Sequence, residues 1–136
     1  MRELYLEGAR MRGASKIIGM DINERKREKG GVFGMADFIN PTQSNKSISV
    51  AIKEMTNGLS MDCIYECSGV SSLINEALEA TTFGKGVVTI IGMGEQSTPI
   101  SLFSLLGRTL KGSILGGLKP QSDLPVIVDK CIAKYD

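Results

Sequence analysis

The sequence has no histidine and no tryptophan, only three cysteines, and aromatic residues at 5% of its length. Lacking histidine, the chain is without the commonest general base and the commonest metal ligand. Charge of one sign is also missing. Sixteen basic residues face fifteen acidic ones, which argues against a nucleic-acid binder working through a broad basic face. No apolar run approaches the roughly 20 residues that span a bilayer, so no membrane segment is expected. The residues from Met1 to Glu7 mix charged and apolar types and show no signal-peptide core. Three cysteines in that setting point to reduced thiols and a cytoplasmic location. Repeats, low-complexity tracts and long linkers are absent too, and 136 residues suffice for one domain with a real core.

What is present is organised around Ser15–Asp21, an apolar run that ends abruptly in a carboxylate. Buried strands of parallel sheets read as such unbroken runs, because helices cover both faces. An acid at the carboxyl end of such a strand stands where open α/β sheets dock nucleotides, and there it accepts hydrogen bonds from ribose hydroxyls. Asp21 reads equally well as a cap for the helix that follows. Around this run the chain alternates. Leu4–Arg12 reads as a helix closed by Gly13, Glu24–Phe33 as an exposed helix loosened by Gly30, Gly31 and Gly34, and Asp37–Asn40 as a short strand stopped by Pro41. Ser47 is placed to cap a helix running to Asn57, with Ile48, Ala51, Ile52 and Met55 on one face. Met61–Cys67 reads as a strand, Ser72–Thr82 as an amphipathic helix and Val87–Ile91 as the most β-like run of all. Leu102–Leu106 is an apolar surface or interface segment, Leu110–Leu115 a further strand, and Pro125–Lys134 a last helix with Val126, Ile127 and Ile132 available for burial.

Strands alternating with helices at this spacing predict right-handed βαβ units in a mostly parallel α/β sheet. Such sheets bind ligands beyond the carboxyl ends of their strands. Three strand ends then converge on one rim, at Asp21, at Ser68-Gly69 and at Gly92-Met93. Each offers a small or polar residue that lets a flat ligand approach the backbone. Glycine also ends strands simply because turns require it. Three such ends together favour a nucleotide.

These residues carry a resemblance. Gly8–Asn23, Asp37–Pro41, the Glu66–Gly69 turn and Ser101–Lys119 resemble the coenzyme-binding domain of zinc-dependent medium-chain alcohol dehydrogenases, most closely the plant alcohol-dehydrogenase-like members. The likeness is collinear from about Glu7 to Tyr135. It implies a doubly wound, Rossmann-type parallel sheet that binds NAD. On that likeness Asp21 holds the adenosine ribose and disfavours the 2′-phosphate of NADP, Lys26 reaches the same ribose, and Asn23 shapes the turn between them. Ser68 and Gly69 then line the adenine and ribose side, and Ile91, Gly92 and Met93 border the nicotinamide. Ile114 and Leu115 match a strand whose backbone touches the nicotinamide amide. The Leu102–Leu115 region matches the edge where two subunits join, implying a homodimer or a heterodimer with a full-length relative. Lys26 can also be read as a solvated helix charge, and Leu102, Leu105 and Leu106 as ordinary core.

Two departures from the family pattern matter. Family members place a buried strand and a Gly-x-Gly-x-x-Gly turn just before the position of Glu7, and that turn brings the backbone to the pyrophosphate at a helix N-terminus. Here Met1–Leu6 contain no glycine, and they are too few for both a strand of about five or six residues and the turn. The absent strand belongs at the centre of the doubly wound order, between the Asp21 strand and the Cys67 strand. Losing about eight ladder hydrogen bonds at roughly 1 kcal/mol each would rival a domain's whole stability. The expectation is a sheet distorted to close the gap, or a weakly folded chain. The second departure is catalytic. The two cysteines and one histidine that hold the family's catalytic zinc lie upstream of the matched region, and Cys63, Cys67 and Cys131 do not replace them. Glu66 has no evident partner and is not taken as a base. Residues 1–136 thus read as a truncated NAD-binding domain without the zinc-binding catalytic domain, with NAD affinity weak or lost, no zinc of its own and no catalytic residue. The alternative is an interaction fragment that pairs through its sheet edge with a full-length relative. A methyltransferase-type nucleotide site is remote, given the length of the match.

Overall fold

The computed structural model describes residues 3–94 and 97–135, without the side chains of residues 3, 4, 115, 134 and 135. The part of the amino-terminal reading that rests on Met1 and Arg2 lies outside the described residues. Helix α1 spans Glu3–Met11. It stops as the sequence predicts: Gly13, at φ 79°, donates to Arg10 O at 3.0 Å, and Ala14 donates to Ala9 O at 3.1 Å. This is the paired closure that a left-handed residue after a helix permits. Strand β1 (Ile18–Met20), helix α2 (Lys26–Val32) and strand β2 (Asp37–Ile39) follow as a parallel βαβ unit.

Helix α3 (Ile48–Met55) begins where Ser47 Oγ accepts from Val50 N. A second acceptor, Glu76 Oε2, takes Ile48 N at 3.0 Å, so two side chains satisfy donors that a helix N-terminus leaves open. Strand β3 (Cys63–Glu66), helix α4 (Leu73–Ala80), strand β4 (Val87–Ile90), helix α5 (Leu102–Leu105) and strand β5 (Thr109–Gly112) continue the alternation. Helix α6 (Pro120–Tyr135) closes it.

The strands form two parallel sheets, β2-β1 and β3-β4-β5, in a doubly wound arrangement. Among the described residues no strand pairs with both β1 and β3. The gap is therefore not closed by distortion. Apolar packing spans it instead. Ile39, Ile48, Ile52 and Ala80 form one buried cluster, with Ile18 and Met20 of β1 and Ile64 of β3 packed against it. On the opposite face Leu6 of α1 is buried with Met35 and Phe38, against Ile17. A third cluster, Ala77, Leu78 and Val88, lies under the larger sheet.

Three expectations need correcting. The last strand is Thr109–Gly112 rather than Leu110–Leu115. Ser113 still donates to Ile90 O at 2.9 Å, but Gly116 and Gly117 take left-handed backbone, so the chain leaves the sheet in a 3-10 turn over Leu115–Gly117. The final helix starts at Pro120, because Asp123 Oδ2 accepts from Lys119 N at 2.8 Å and starts the helix ahead of Pro125. Val126, Ile127 and Ile132 remain substantially exposed. Helical periodicity says which side chains share a face; it does not say whether another element lies opposite.

Candidate functional site

The carboxyl end of β1 feeds a tightly bonded loop. Asp21 N donates to Ile39 O at 3.2 Å, continuing the ladder one residue past the strand. Asp21 Oδ1 then accepts from Asn23 N at 2.9 Å, and Asn23 Oδ1 accepts from Arg25 N at 3.1 Å. Both sequence readings of Asp21 thus meet here, because its carboxylate shapes the approach to α2. Partial burial opposes its ionisation. The hydrogen bonds it accepts, that of Asn23 N among them, and the positive charge of Lys26 outweigh this, and its pKa lies below the ordinary aspartate value.

Asn40, at the end of β2, fixes this loop from beneath. Its Nδ2 donates to Ile22 O at 3.3 Å and to Glu24 Oε2 at 3.0 Å, while its Oδ1 accepts from Thr42 N and Thr42 Oγ1. The Asn40 bond, and next the Arg27 guanidinium, hold the Glu24 pKa below the usual glutamate value. Sequence reasoning missed Asn40, which it read as the last residue of a strand. The available signal was an asparagine directly before Pro41 and two residues before Thr42, a pattern typical of side chain–backbone turns.

The ends of β3 and β4 are built together. Glu66, at the end of β3, is buried. Its Oε1 accepts from Ser68 N at 2.7 Å, from Ser68 Oγ in a short bond, and from Gly69 N at 3.2 Å. Oε2 accepts from Gly69 N at 3.1 Å. Glu66 does have partners, contrary to the sequence reading, and they give a buried carboxylate the donors it requires. From β4, Ile91 N and Gly92 N both donate to Glu66 O, at 2.8 and 3.0 Å. The two turns then meet backbone to backbone. A Cβ at Gly92 would lie 2.2 Å from Gly69 N, and one at Gly69 would lie 2.5 Å from Met93 O. Gly69 also has φ of 76°, which favours glycine by itself. At Gly69 and Gly92 the space a side chain would take is occupied by the other's loop.

Beside these interlocked turns lies a cleft of about 270 Å³, lined by Glu66, Gly69, Ser71, Ile74, Gly92 and Met93 among others. The site residues named from sequence therefore fall into groups. Gly69, Gly92 and Met93 share the cleft, with Met93 96% exposed. Ser68 and Ile91 shape its turns through Glu66. Asp21 and Asn23 lie in the separate loop after β1, and Lys26 is the first residue of α2. Ile114, 88% exposed, and Leu115 lie past β5 and are not strand residues as expected.

The thiols do not make a metal centre. Cys63, Cys67 and Cys131 are free, and among the described residues no group of three or more His, Cys, Asp or Glu is placed to hold a metal ion. A zinc ion does not fit the residues described. Nor is any described helix long and apolar enough to cross a membrane.

Comparison with known proteins gives these geometries a context. A family model described as "Zinc-binding dehydrogenase" matches residues 4–133. Alcohol dehydrogenase 1 of Tanacetum cinerariifolium is 56% identical over 132 residues, covering 95% of this chain and 35% of that protein. Alcohol dehydrogenase-like 1 of Arabidopsis thaliana is 51% identical, over 94% of this chain and 34% of that protein. The chain thus spans about a third of the length of these curated relatives. Among solved structures, an alcohol dehydrogenase zinc-binding domain protein from Burkholderia ambifaria superposes with a TM-score of 0.85 at 24% identity, over 97% of this chain and 36% of that one. Benzyl alcohol dehydrogenase from Acinetobacter calcoaceticus gives 0.83 at 25% identity, over 93% and 35%.

Proposed function

The chain belongs to the zinc-binding dehydrogenase family, and on that premise we propose that it is the larger part of an NAD-binding domain that holds the coenzyme by its adenosine end. One observation carries this reading: the Asp21 carboxylate stands just past the carboxyl end of β1, where it accepts from Asn23 N and lies at the start of the turn into α2. A carboxylate there accepts hydrogen bonds from the ribose hydroxyls, and its charge repels a 2′-phosphate, so NAD is preferred to NADP. Lys26 reaches the same ribose, and Asn23 keeps the Asp21 turn in shape. Ser68 and Gly69, set by Glu66, border the adenosine, and Ile91, Gly92 and Met93 border the nicotinamide. Ile114 and Leu115 offer backbone groups beyond β5. Bound NAD supplies a hydride acceptor. The described residues offer no ligand set for the family's zinc, so no alcohol-activating step is derived, and the chain by itself is inactive as a dehydrogenase in a cytoplasmic setting.

Affinity is limited because the contacts lie at one end of the coenzyme. Binding is expected in the millimolar range, a ribose-end contact being worth a few kcal/mol at most. NAD titrated into the labelled chain should shift the NMR signals of Asp21 and Lys26, NADP should shift them less, and Asp21→Asn should abolish the response. A micromolar Kd, or shifts that spare both residues, would overturn the proposal.

A second reading has its own observation. Leu102 and Phe103 on α5 are 78% and 83% exposed, next to β5, which among the described residues pairs with β4 alone. We infer that this edge joins a second copy or a full-length relative, forming a dimer through Leu102–Leu115. Co-expression with a tagged intact relative should yield a mixed dimer, and failure to co-purify would end the idea.

A further inference from the structure

A second cleft, also of about 270 Å³, shares no residue with the one at the strand ends. Ser49 and Lys53 of α3, Glu79 of α4, Phe103 and Ser104 of α5, and Arg108 just before β5 line it. Ser49 and Lys53 are four residues apart, so they lie on one face of α3. Helix α4 is tied to both neighbours. Glu76 Oε2 accepts from Ile48 N at the start of α3, and Glu79 Oε1 accepts from Ser104 Oγ of α5 at 3.1 Å. Arg108 follows the left-handed turn at Gly107, whose φ is 66°. Its Nε donates to Thr81 O at 3.2 Å and its Nη1 to Ser104 O at 3.0 Å. The guanidinium carbon also lies 5.7 Å from the centre of the Phe83 ring, within cation–π range.

The cleft therefore holds charges of both signs that do not neutralise one another. Among the described residues neither Lys53 nor Arg108 comes within ion-pair distance of Glu79. Lys53 Nζ, Arg108 Nη2 and Glu79 Oε2 make no hydrogen bond to any described residue. Two cationic donors and one anionic acceptor are thus left available in one small space. Ser49 is buried there, its hydroxyl 3.1 Å from Ser47 Oγ, and Phe103 offers an exposed apolar ring. A simple anion would be repelled by Glu79, and a simple cation by Lys53 and Arg108. A molecule that carries both charges finds an opposite partner for each. The volume lies just below the roughly 300–1,000 Å³ of drug-sized sites, so the occupant is small.

We propose that the cleft between α3, α4 and α5 binds a free α-amino acid with an apolar or aromatic side chain. Its ammonium donates to Glu79 Oε2, and its carboxylate accepts from Lys53 Nζ and Arg108 Nη2. Its side chain lies against Phe103. An α-amino acid carries both charges on one carbon, which suits opposite charges that line a single small cleft and leaves the remaining volume to the side chain. The planar guanidinium, already fixed by two carbonyls, presents its remaining donors at little entropic cost. Ser104 is a positioning residue, because its hydroxyl holds the Glu79 carboxylate. The inference does not rest on the coenzyme reading.

The test titrates L-phenylalanine into the labelled full chain, at a concentration where sedimentation shows a single species. Amide signals of Ser49, Lys53, Glu79, Ser104 and Arg108 should shift and saturate at millimolar ligand. Two probes each lack one charge: 3-phenylpropanoate has no ammonium and 2-phenylethylamine has no carboxylate. Each should bind about threefold or more weakly than phenylalanine, the loss expected for one partly exposed ion pair. Glu79→Gln should erase the preference for phenylalanine over 3-phenylpropanoate, and Lys53→Met should reduce the preference over 2-phenylethylamine. The comparison of the three compounds uses the unaltered chain, so it decides even if a variant fails to fold. No saturating shift at millimolar phenylalanine overturns the proposal. Equal binding of the three compounds also overturns it, since that leaves only contact with Phe103. So do the same shifts from inorganic phosphate at equal affinity, which make the cleft a plain anion site, or shifts confined to Gly69 and Gly92. NAD binding can fail without touching any of these outcomes.

Discussion

Three carboxylates tie local structure to pH. The Asp21 pKa is held down against partial burial by accepted hydrogen bonds and nearby positive charge, that of Glu24 by Asn40 and Arg27, and that of Asp123 by Lys119 N and Ser122. In each case the folded pKa lies below the unfolded one, so the unfolded chain binds more protons between the two values and stability rises with pH there. The contribution is complete above the unfolded value, about pH 4, and is lost as pH falls through the folded values. The Tm should therefore be flat between about pH 7 and 5 and should drop below about pH 4. Asp21→Asn should make that drop shallower, and a Tm indifferent to acid would contradict the geometry. Gly92 makes the second case at this scale. Because a Cβ on this residue would stand only 2.2 Å from Gly69 N, Gly92→Ala should cost about 1–3 kcal/mol, read as a lower urea midpoint. Gly112→Ala, where a Cβ meets nothing within 4 Å, should be neutral or slightly stabilising.

The elements differ in how completely the chain covers them. Helix α4 buries Ala77, Leu78 and Ala80, and Asn75 ties it to the approach to α5 through Pro99 O and Ser101 N. Helix α5 is anchored on one side by Ser104, whose hydroxyl donates to Glu79 Oε1, and by Arg108, which donates to Ser104 O and Thr81 O. Its other side carries Leu102 and Phe103 outward. Changing both to serine should lower self-association or pairing with an intact relative without shifting the Tm, because neither side chain packs inward. Sedimentation velocity measures the first and calorimetry the second. Unchanged association would remove α5 from the interface.

At the scale of the whole molecule, the larger sheet and its helices are more completely built than the smaller. Strand β4 is paired on both sides, and its Val88 is fully buried in one cluster with Leu78 of α4. Among the described residues each strand of the smaller sheet has one partner. Amide exchange should accordingly be slowest in Val87–Ile90 and faster across Ile18–Met20 and Asp37–Ile39. Equal protection in the two sheets would mean that the apolar cluster spanning the gap couples them into one cooperative unit.

By itself the sequence determined the alternation of strands and helices, because apolar periodicity, Ser47 as a cap and Gly13 as a stop are local signals that need only their own neighbours. It also determined the family, since a collinear match over nearly the whole chain leaves little choice. Tertiary structure decided the rest. That Glu66 and Asn40 organise the turns at the rim depends on donors brought in by chain reversal. The close fit of Gly69 against Gly92 joins loops more than twenty residues apart. The exposure of α6 depends on what lies opposite its apolar face, and an amphipathic pattern carries no information about that neighbour.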